Sequence, residues 1–256
     1  MPEDRPPSQP VFVCGLARSG TTWLATALGQ SPKLLFLQEA WLLDKLAEFV
    51  EWFSMLHDEW DEFTPWRRYG IGREAFVQHL AGLYGNLLLQ ASAGRRFVEK
   101  TPEANLLQFE LLHELFPSAY FILIYRDGRN QVASLEAMKR KQGEPFDFEE
   151  ACRRWARGME VVAKAQSRLS IEHLRILRYE DLLEGFAPIF DELCRFVGVE
   201  PFELRPHAPN SSFGRAGVPA DFNHRWETWP EEKKAIFKRL AGTQLIAWRY
   251  VDSNAW

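Results

Sequence analysis

Short unbroken apolar runs alternate along the chain with longer stretches in which apolar residues recur every three or four positions. The runs are "VFVCGL" (11–16), "KLLFLQE" (33–39), "RRFVEK" (95–100), "YFILIY" (120–125) and "LRILRYE" (174–180). They are rich in β-branched and aromatic residues and too short for helices, so they read as strands. Helical spacing follows at 21–30, 105–115, 128–141, 148–169, 186–197 and 231–247. Strands alternating with helices predict an α/β fold of three layers, a central parallel sheet flanked by helices on both faces. In such sheets ligands gather outside the carboxyl ends of the strands, so chemistry is expected just after each apolar run.

One region breaks the alternation. From Ala40 to Tyr69 the chain carries Trp41, Phe49, Trp52, Phe53, Trp60, Phe63, Trp66 and Tyr69 among acidic residues. This predicts an aromatic-rich helical insertion at about 40–92. It has two readings of equal weight, a helical pair packed on the domain and an apolar lid over a pocket. No repeat or long linker divides the remainder, so residues 11–256 are expected to form a single domain behind a disordered, proline-rich segment at 1–10.

Composition narrows the partners. The net charge of −4 gives no overall basic field for nucleic acid, so any anion site must be local. Cys14, Cys152 and Cys194 are three in number and far apart, which forms neither a metal pattern nor a disulfide framework and fits a reducing compartment. No apolar run reaches the length of a membrane span. The expected setting is cytoplasmic, with no membrane partner.

The first strand leads into "GLARSGTT" (15–22) and then "WLATALG". A nucleoside triphosphate loop reads G-x-x-x-x-G-K-[ST]. Here Thr21 holds the lysine position and the cation, Arg18, lies inside the loop. Glycines at 15 and 20 allow close backbone approach, and the amides of Ser19, Gly20, Thr21 and Thr22 open a helix whose N-terminus suits a phosphate. A second element, "YRDGRNQVAS", places Arg126 at the end of the strongest strand and Ser134 eight residues on, two turns into a helix. A guanidinium fork and a hydroxyl can converge on a second anion.

These segments together resemble the sulfotransferase superfamily, whose donor is 3′-phosphoadenosine-5′-phosphosulfate (PAPS). "GLARSGTTW" resembles the family's 5′-phosphosulfate loop, and Arg126 with Ser134 its 3′-phosphate site. "EKTP" (99–102) resembles a strand-end lysine segment, "LRYEDLL" (177–183) a segment whose tyrosine, here Tyr179, lies near the cofactor, and "NSSFG…HRW" (210–226) the loop that covers it. The pattern is closest to tyrosylprotein sulfotransferases and related bacterial enzymes. It departs from the cytosolic phenol and steroid enzymes, which have a lysine where Arg18 stands.

The resemblance implies a PAPS-dependent O-sulfotransferase that yields a sulfate ester and PAP, needs no metal, and acts on a hydroxyl acceptor; the aromatic residues around 41–69 suggest that this acceptor is aromatic or hydrophobic. It implies Glu39 as general base and Arg18 and Lys100 as the cations facing charge that develops in transfer. Donor binding falls to Arg18, Ser19, Gly20, Thr21, Thr22, Arg126, Ser134 and Tyr179, with Ser211, Ser212 and Arg225 from the covering loop. His57 competes with Glu39 as base, Glu99 is a candidate to orient Lys100, and Arg129 a further contact to the 3′-phosphate. Two rivals remain: a metal-dependent small-molecule or nucleotide kinase with a degenerate loop, using Asp127 for magnesium, and a non-catalytic nucleotide-binding module.

Overall fold

A computed structural model of the chain describes residues 9–59, 65–205 and 225–256. The order begins β1 (Val11–Cys14), α1 (Thr21–Leu28) and β2 (Leu35–Gln38). The insertion follows as α2 (Leu43–Glu59), α3 (Pro65–Arg68) and α4 (Arg73–Ala91). Next come β3 (Phe97–Lys100), α5 (Ala104–Leu107), α6 (Phe109–Leu115), β4 (Tyr120–Tyr125), α7 (Gly128–Gln142) and α8 (Phe148–Arg168). The chain closes with β5 (Leu174–Arg178), α9 (Tyr179–Glu184), α10 (Phe186–Phe196), a 3₁₀ turn (Arg225–Thr228) and α11 (Glu231–Ala247).

The five strands pair in the order β2-β3-β1-β4-β5, and every pairing is parallel. Successive side chains of a strand face opposite sides, and the core divides accordingly. Val11 and Val13 of β1 join Trp23, Leu24, Phe190 and Leu193 under α1 and α10. Phe12 and Cys14 join Phe121, Leu123, Trp155 and Phe237 on the other face, under α8 and α11. This is the three-layer arrangement that the alternating runs predict. Trp23 belongs to the first of these clusters, where its ring meets Phe186 edge-on.

Strands β1, β2, β3 and β5 start or stop one or two residues inside the runs read for them, β4 coincides with its run, and the end of β5 is the difference that bears on the site. The run "LRILRYE" ends as a strand at Arg178, and Tyr179 and Glu180 already belong to α9. Glu180 is turned back to accept the Asp127 amide at 3.0 Å, a tie between two strand ends that an extended chain would not make. The cysteines are buried and free, and burial pushes the Cys152 thiol up to about 12 and that of Cys194 to about 11, so they pack rather than react. Among the described residues no helix is long and apolar enough to cross a membrane. The segment 1–8 lies outside the described residues.

Candidate active site

The loop after β1 turns tightly because its neighbours leave no alternative. A Cβ on Gly15 would sit 2.6 Å from the Ile124 carbonyl oxygen, and one on Gly20 would sit 2.6 Å from the Tyr179 ring. Gly20 also has φ of 99°, the left-handed region. Arg18 enters that region as well, with φ of 70°, at a cost of about 1–2 kcal/mol for a residue with a Cβ. Side chains from elsewhere hold it there. Gln131 Nε2 donates to the Ala17 carbonyl at 2.9 Å, and Arg126 Nη1 donates to the Arg18 carbonyl at 3.2 Å.

Ser19 differs from the sequence expectation. Its hydroxyl and its amide both donate to the Leu16 carbonyl, at 2.7 and 3.2 Å, and the residue is wholly buried. It closes the turn from within instead of presenting donors outward. The cradle is therefore left to Gly20, Thr21 and Thr22. Helix α1 starts at Thr21 without a side-chain cap, so the amides of its first turn have no acceptor inside the helix.

Beside this cradle lies a group of cations. Arg18 Nε donates to Ser134 Oγ at 3.1 Å, and the Arg126 guanidinium lies 4.4 Å over the Tyr179 ring. Arg126 and Ser134 are both buried. Burial holds the Arg18 guanidinium below its ordinary pKa, and the charges of Arg126 and Arg225 lower it further while Tyr179 opposes them. Like charges gathered at a buried spot favour an incoming anion. Arg18, Thr21, Thr22 and Arg126 line a small cavity of about 50 Å³ there.

On the other side of the loop, β2 and β3 end together, with Gln38 paired to Lys100. Lys100 is only 1% exposed, and its ammonium donates to Glu39 Oε1 at 2.6 Å and to Thr22 Oγ1 at 3.0 Å. Glu39 is held by its own amide, which donates to the Lys100 carbonyl at 2.9 Å. Both Glu39 and Trp41 are left-handed, with φ of 56° and 51°. Such conformations concentrate at functional sites.

Glu99 does not orient Lys100. Strand alternation turns it to the opposite face, where it accepts from Thr101 Oγ1 at 2.6 Å, Asn105 Nδ2 at 2.7 Å and, more weakly, the Ala40 amide at 3.3 Å. Burial raises its pKa, and those three hydrogen bonds pull it back in part.

The turn after β4 is built from the residues once considered as ligands. Asp127 caps α7 by accepting from the Arg129 amide at 2.9 Å and receives the Arg129 side chain at 2.6 Å. The Arg129 guanidinium lies over the rings of both Trp226 and Trp256, 4.3 and 4.8 Å from their centres. Arg129 is thus a buried structural clamp, and the Asp127 carboxylate is committed to it.

A cleft of about 760 Å³ opens over this floor. Arg18, Thr22, Glu39 and Lys100 lie along it, with Trp41, Leu135, Met138 and Phe146 as apolar wall. Its outer part carries more acid than base: Asp44, Glu103, Glu144, Asp147 and Glu150 against Lys139 and Arg154. Three of these acids have a basic partner, Glu144 in Lys139 and both Glu103 and Glu150 in Arg154. Among the described aromatic residues of 41–69, Trp41 is the one that lines the cleft. Phe53 stacks on Phe76 at 4.0 Å between α2 and α4, so much of the insertion's aromatic content packs the helices together. The His57 side chain, Ser211 and Ser212 lie outside the described residues, while Arg225 opens the 3₁₀ turn.

Two residues with site contacts carried no sequence signal. Gln131 sits mid-helix in a polar stretch and looks like surface, yet it is buried on the loop. Glu180 reads as the end of a strand, yet it joins β4 to the last turn through Asp127 and Tyr250.

Known proteins resemble this chain in sequence and in fold. A family model described as the sulfotransferase family matches residues 10–203. The nodulation protein NoeE of Sinorhizobium fredii is 26% identical over 261 residues, covering 86% of this chain and 60% of its own length. Protein-tyrosine sulfotransferase A of Caenorhabditis elegans is 21% identical over 176 residues, covering 68% of this chain and 45% of its own. The chain therefore spans about half the length of these relatives. The sulfotransferase domain of the olefin synthase of Synechococcus PCC 7002 superposes with a TM-score of 0.61 at 20% identity, over 95% of this chain and 96% of that one.

Proposed function

Because the chain belongs to the sulfotransferase family, we propose that it moves a sulfuryl group in line from PAPS to an acceptor hydroxyl, leaving a sulfate ester and PAP. The observation that carries this reading is the Lys100 ammonium, which joins Thr22 of the anion cradle to Glu39 of the cleft. One buried cation thereby spans the two places where donor and acceptor would meet.

The residues present fit the donor. Thr21, Thr22 and the amides from Gly20 onward suit its 5′ end; Arg126 and Ser134, with Tyr179 beneath the guanidinium, suit a separate 3′-phosphate. Arg18 lines both the small cavity and the cleft, so its charge reaches both ends. Arg225 adds charge from the rim, and Ser211 and Ser212 are assigned to the covering loop by resemblance alone. When bound, PAPS supplies the activated sulfuryl group and a leaving phosphate.

The chain supplies the rest. Glu39 lines the cleft, and a carboxylate oxygen there is the proposed acceptor of the hydroxyl's proton. Lys100 and Arg18 stand as fixed positive charge where negative charge grows, which needs no reorganisation at the moment of transfer. The apolar wall around Trp41 suits an acceptor with an aromatic or hydrophobic body. The acid excess of the outer cleft disfavours a polyanionic one. The kinase alternative loses its one strand-end magnesium ligand, because Asp127 is bound to Arg129.

The test is incubation with PAPS and a panel of phenols, aliphatic alcohols and oligosaccharides, with PAP release and product mass read together. Paired PAP and sulfated product, unchanged by EDTA, is the expected result. Product from ATP and magnesium, with none from PAPS, would refute the proposal.

A further inference from the structure

The segment assigned to the 3′-phosphate also builds the loop assigned to the 5′ end. Three bonds run from β4 and α7 into residues 17 and 18: Gln131 to the Ala17 carbonyl, Arg126 to the Arg18 carbonyl, and Ser134 to the Arg18 side chain. Of the three residues, Gln131 alone has no charge or hydroxyl to offer a phosphate through a route already assigned. It is 5% exposed, and its amide donates to Ala17 at 2.9 Å.

We infer that Gln131 is a positioning residue for the 5′ half of the donor site, although it lies on the 3′ element. The inference rests on the donor reading above. A peptide unit is planar and trans, so its carbonyl and its amide hydrogen point in opposite directions. Tying the Ala17 carbonyl to α7 aims the Arg18 amide away from α7 and fixes the plane that leads into left-handed Arg18. Without that donor the half-buried carbonyl lacks its partner, and the plane is free to turn. A carbonyl oxygen turned into the cradle repels the anion that the neighbouring amides attract. The 3′ contacts do not pass through this peptide: Arg126 remains at the end of β4 and Ser134 on α7, one turn beyond Gln131.

The test is binding of three nucleotides by titration calorimetry to wild type, Gln131→Leu and Gln131→Met. The second variant keeps the length of glutamine, removes the donor and adds no charge. PAP and adenosine 5′-phosphate should each bind about tenfold more weakly to both variants, the scale of one lost hydrogen bond. Adenosine 3′-phosphate should bind unchanged. An equal loss for all three nucleotides would mean a merely structural role, and a loss confined to the 3′-phosphate would place Gln131 at that site instead; either overturns the inference. Wild type that fails to bind PAP at all overturns the donor reading itself.

Discussion

The two walls of the candidate site are built on different terms. The wall proposed for the donor is buried and cross-tied: Arg18, Arg126, Gln131 and Ser134 bond to one another or to the loop carbonyls, and three of the four are nearly inaccessible. The wall proposed for the acceptor is open: Trp41, which lines the cleft, is 64% exposed. A ligand that never changes can be met by a preformed site, since fixed dipoles and charges cost nothing to reorganise. A wall that exposes apolar surface holds its energy in reserve for whatever covers it.

The largest effect should come from the residues where the walls touch. Glu39→Gln keeps size and much of the hydrogen bonding with Lys100 but cannot take a proton. Turnover should fall about 10²–10⁴-fold, the usual worth of a general base, while PAP affinity persists. Steady-state PAP release beside calorimetric binding checks this, and a phenolic acceptor should lose less than an aliphatic one. Retained turnover would remove the base from the junction.

Next is the donor wall itself. Arg126→Ala should weaken PAP binding by about 2–3 kcal/mol, the range for a hydrogen bond to a charged group. Adenosine 5′-phosphosulfate, which lacks the 3′-phosphate, should be affected much less. Equal losses for both nucleotides would show that Arg126 acts only as a strut for the loop, through its bond to the Arg18 carbonyl.

A smaller change is expected on the acceptor wall. Trp41→Ala should raise the acceptor KM by several-fold, on the order of 1 kcal/mol, and leave PAP affinity untouched. A change in PAP affinity instead would erase the distinction between the walls.

The smallest effect is one of pH. The Glu99 pKa is raised in the folded protein, mainly by burial. A carboxyl raised in this way contributes stability that is fully present below its unfolded value and is lost as pH rises through its folded value. Glu99→Gln lacks that loss. The Tm of this variant, lower than wild type in acid because an acceptor oxygen is gone, should approach that of wild type as pH climbs above the ordinary carboxylate range. A constant Tm difference across pH would contradict the raised value.

Sequence and structure agree where burial on both faces makes a strand unmistakable. "VFVC" and "YFILIY" have no polar face to confuse the pattern, and they pair at the centre of the sheet. The cradle was legible because glycine is forced at Gly20, and Lys100 and Glu39 because each directly follows or ends an apolar run. Side-chain direction was not legible. Ser19 and Thr21 look alike as hydroxyl residues in a loop, yet Ser19 closes the turn inward onto Leu16. Arg129 and Arg126 look alike as strand-end cations, yet Arg129 is consumed by Asp127 and two tryptophan rings. Gln131 shows the same limit from the other side, since burial of a polar helix face depends on what packs against it.

The order of the strands bears on how such a protein can diversify. β2 and β3 are hydrogen-bonded neighbours, and everything between Gln38 and Phe97 is a single crossover that leaves the sheet beside the Glu39 carboxylate and returns just before the Lys100 ammonium. The glycine loop at 15–22 lies outside that crossover, between β1 and α1, and its ties come from the end of β4 and from α7. The crossover can therefore lengthen, shorten or be exchanged for another without altering the register of any strand or any bond to the loop. A different crossover then remakes the wall around Trp41, while the loop and its ties pass on intact.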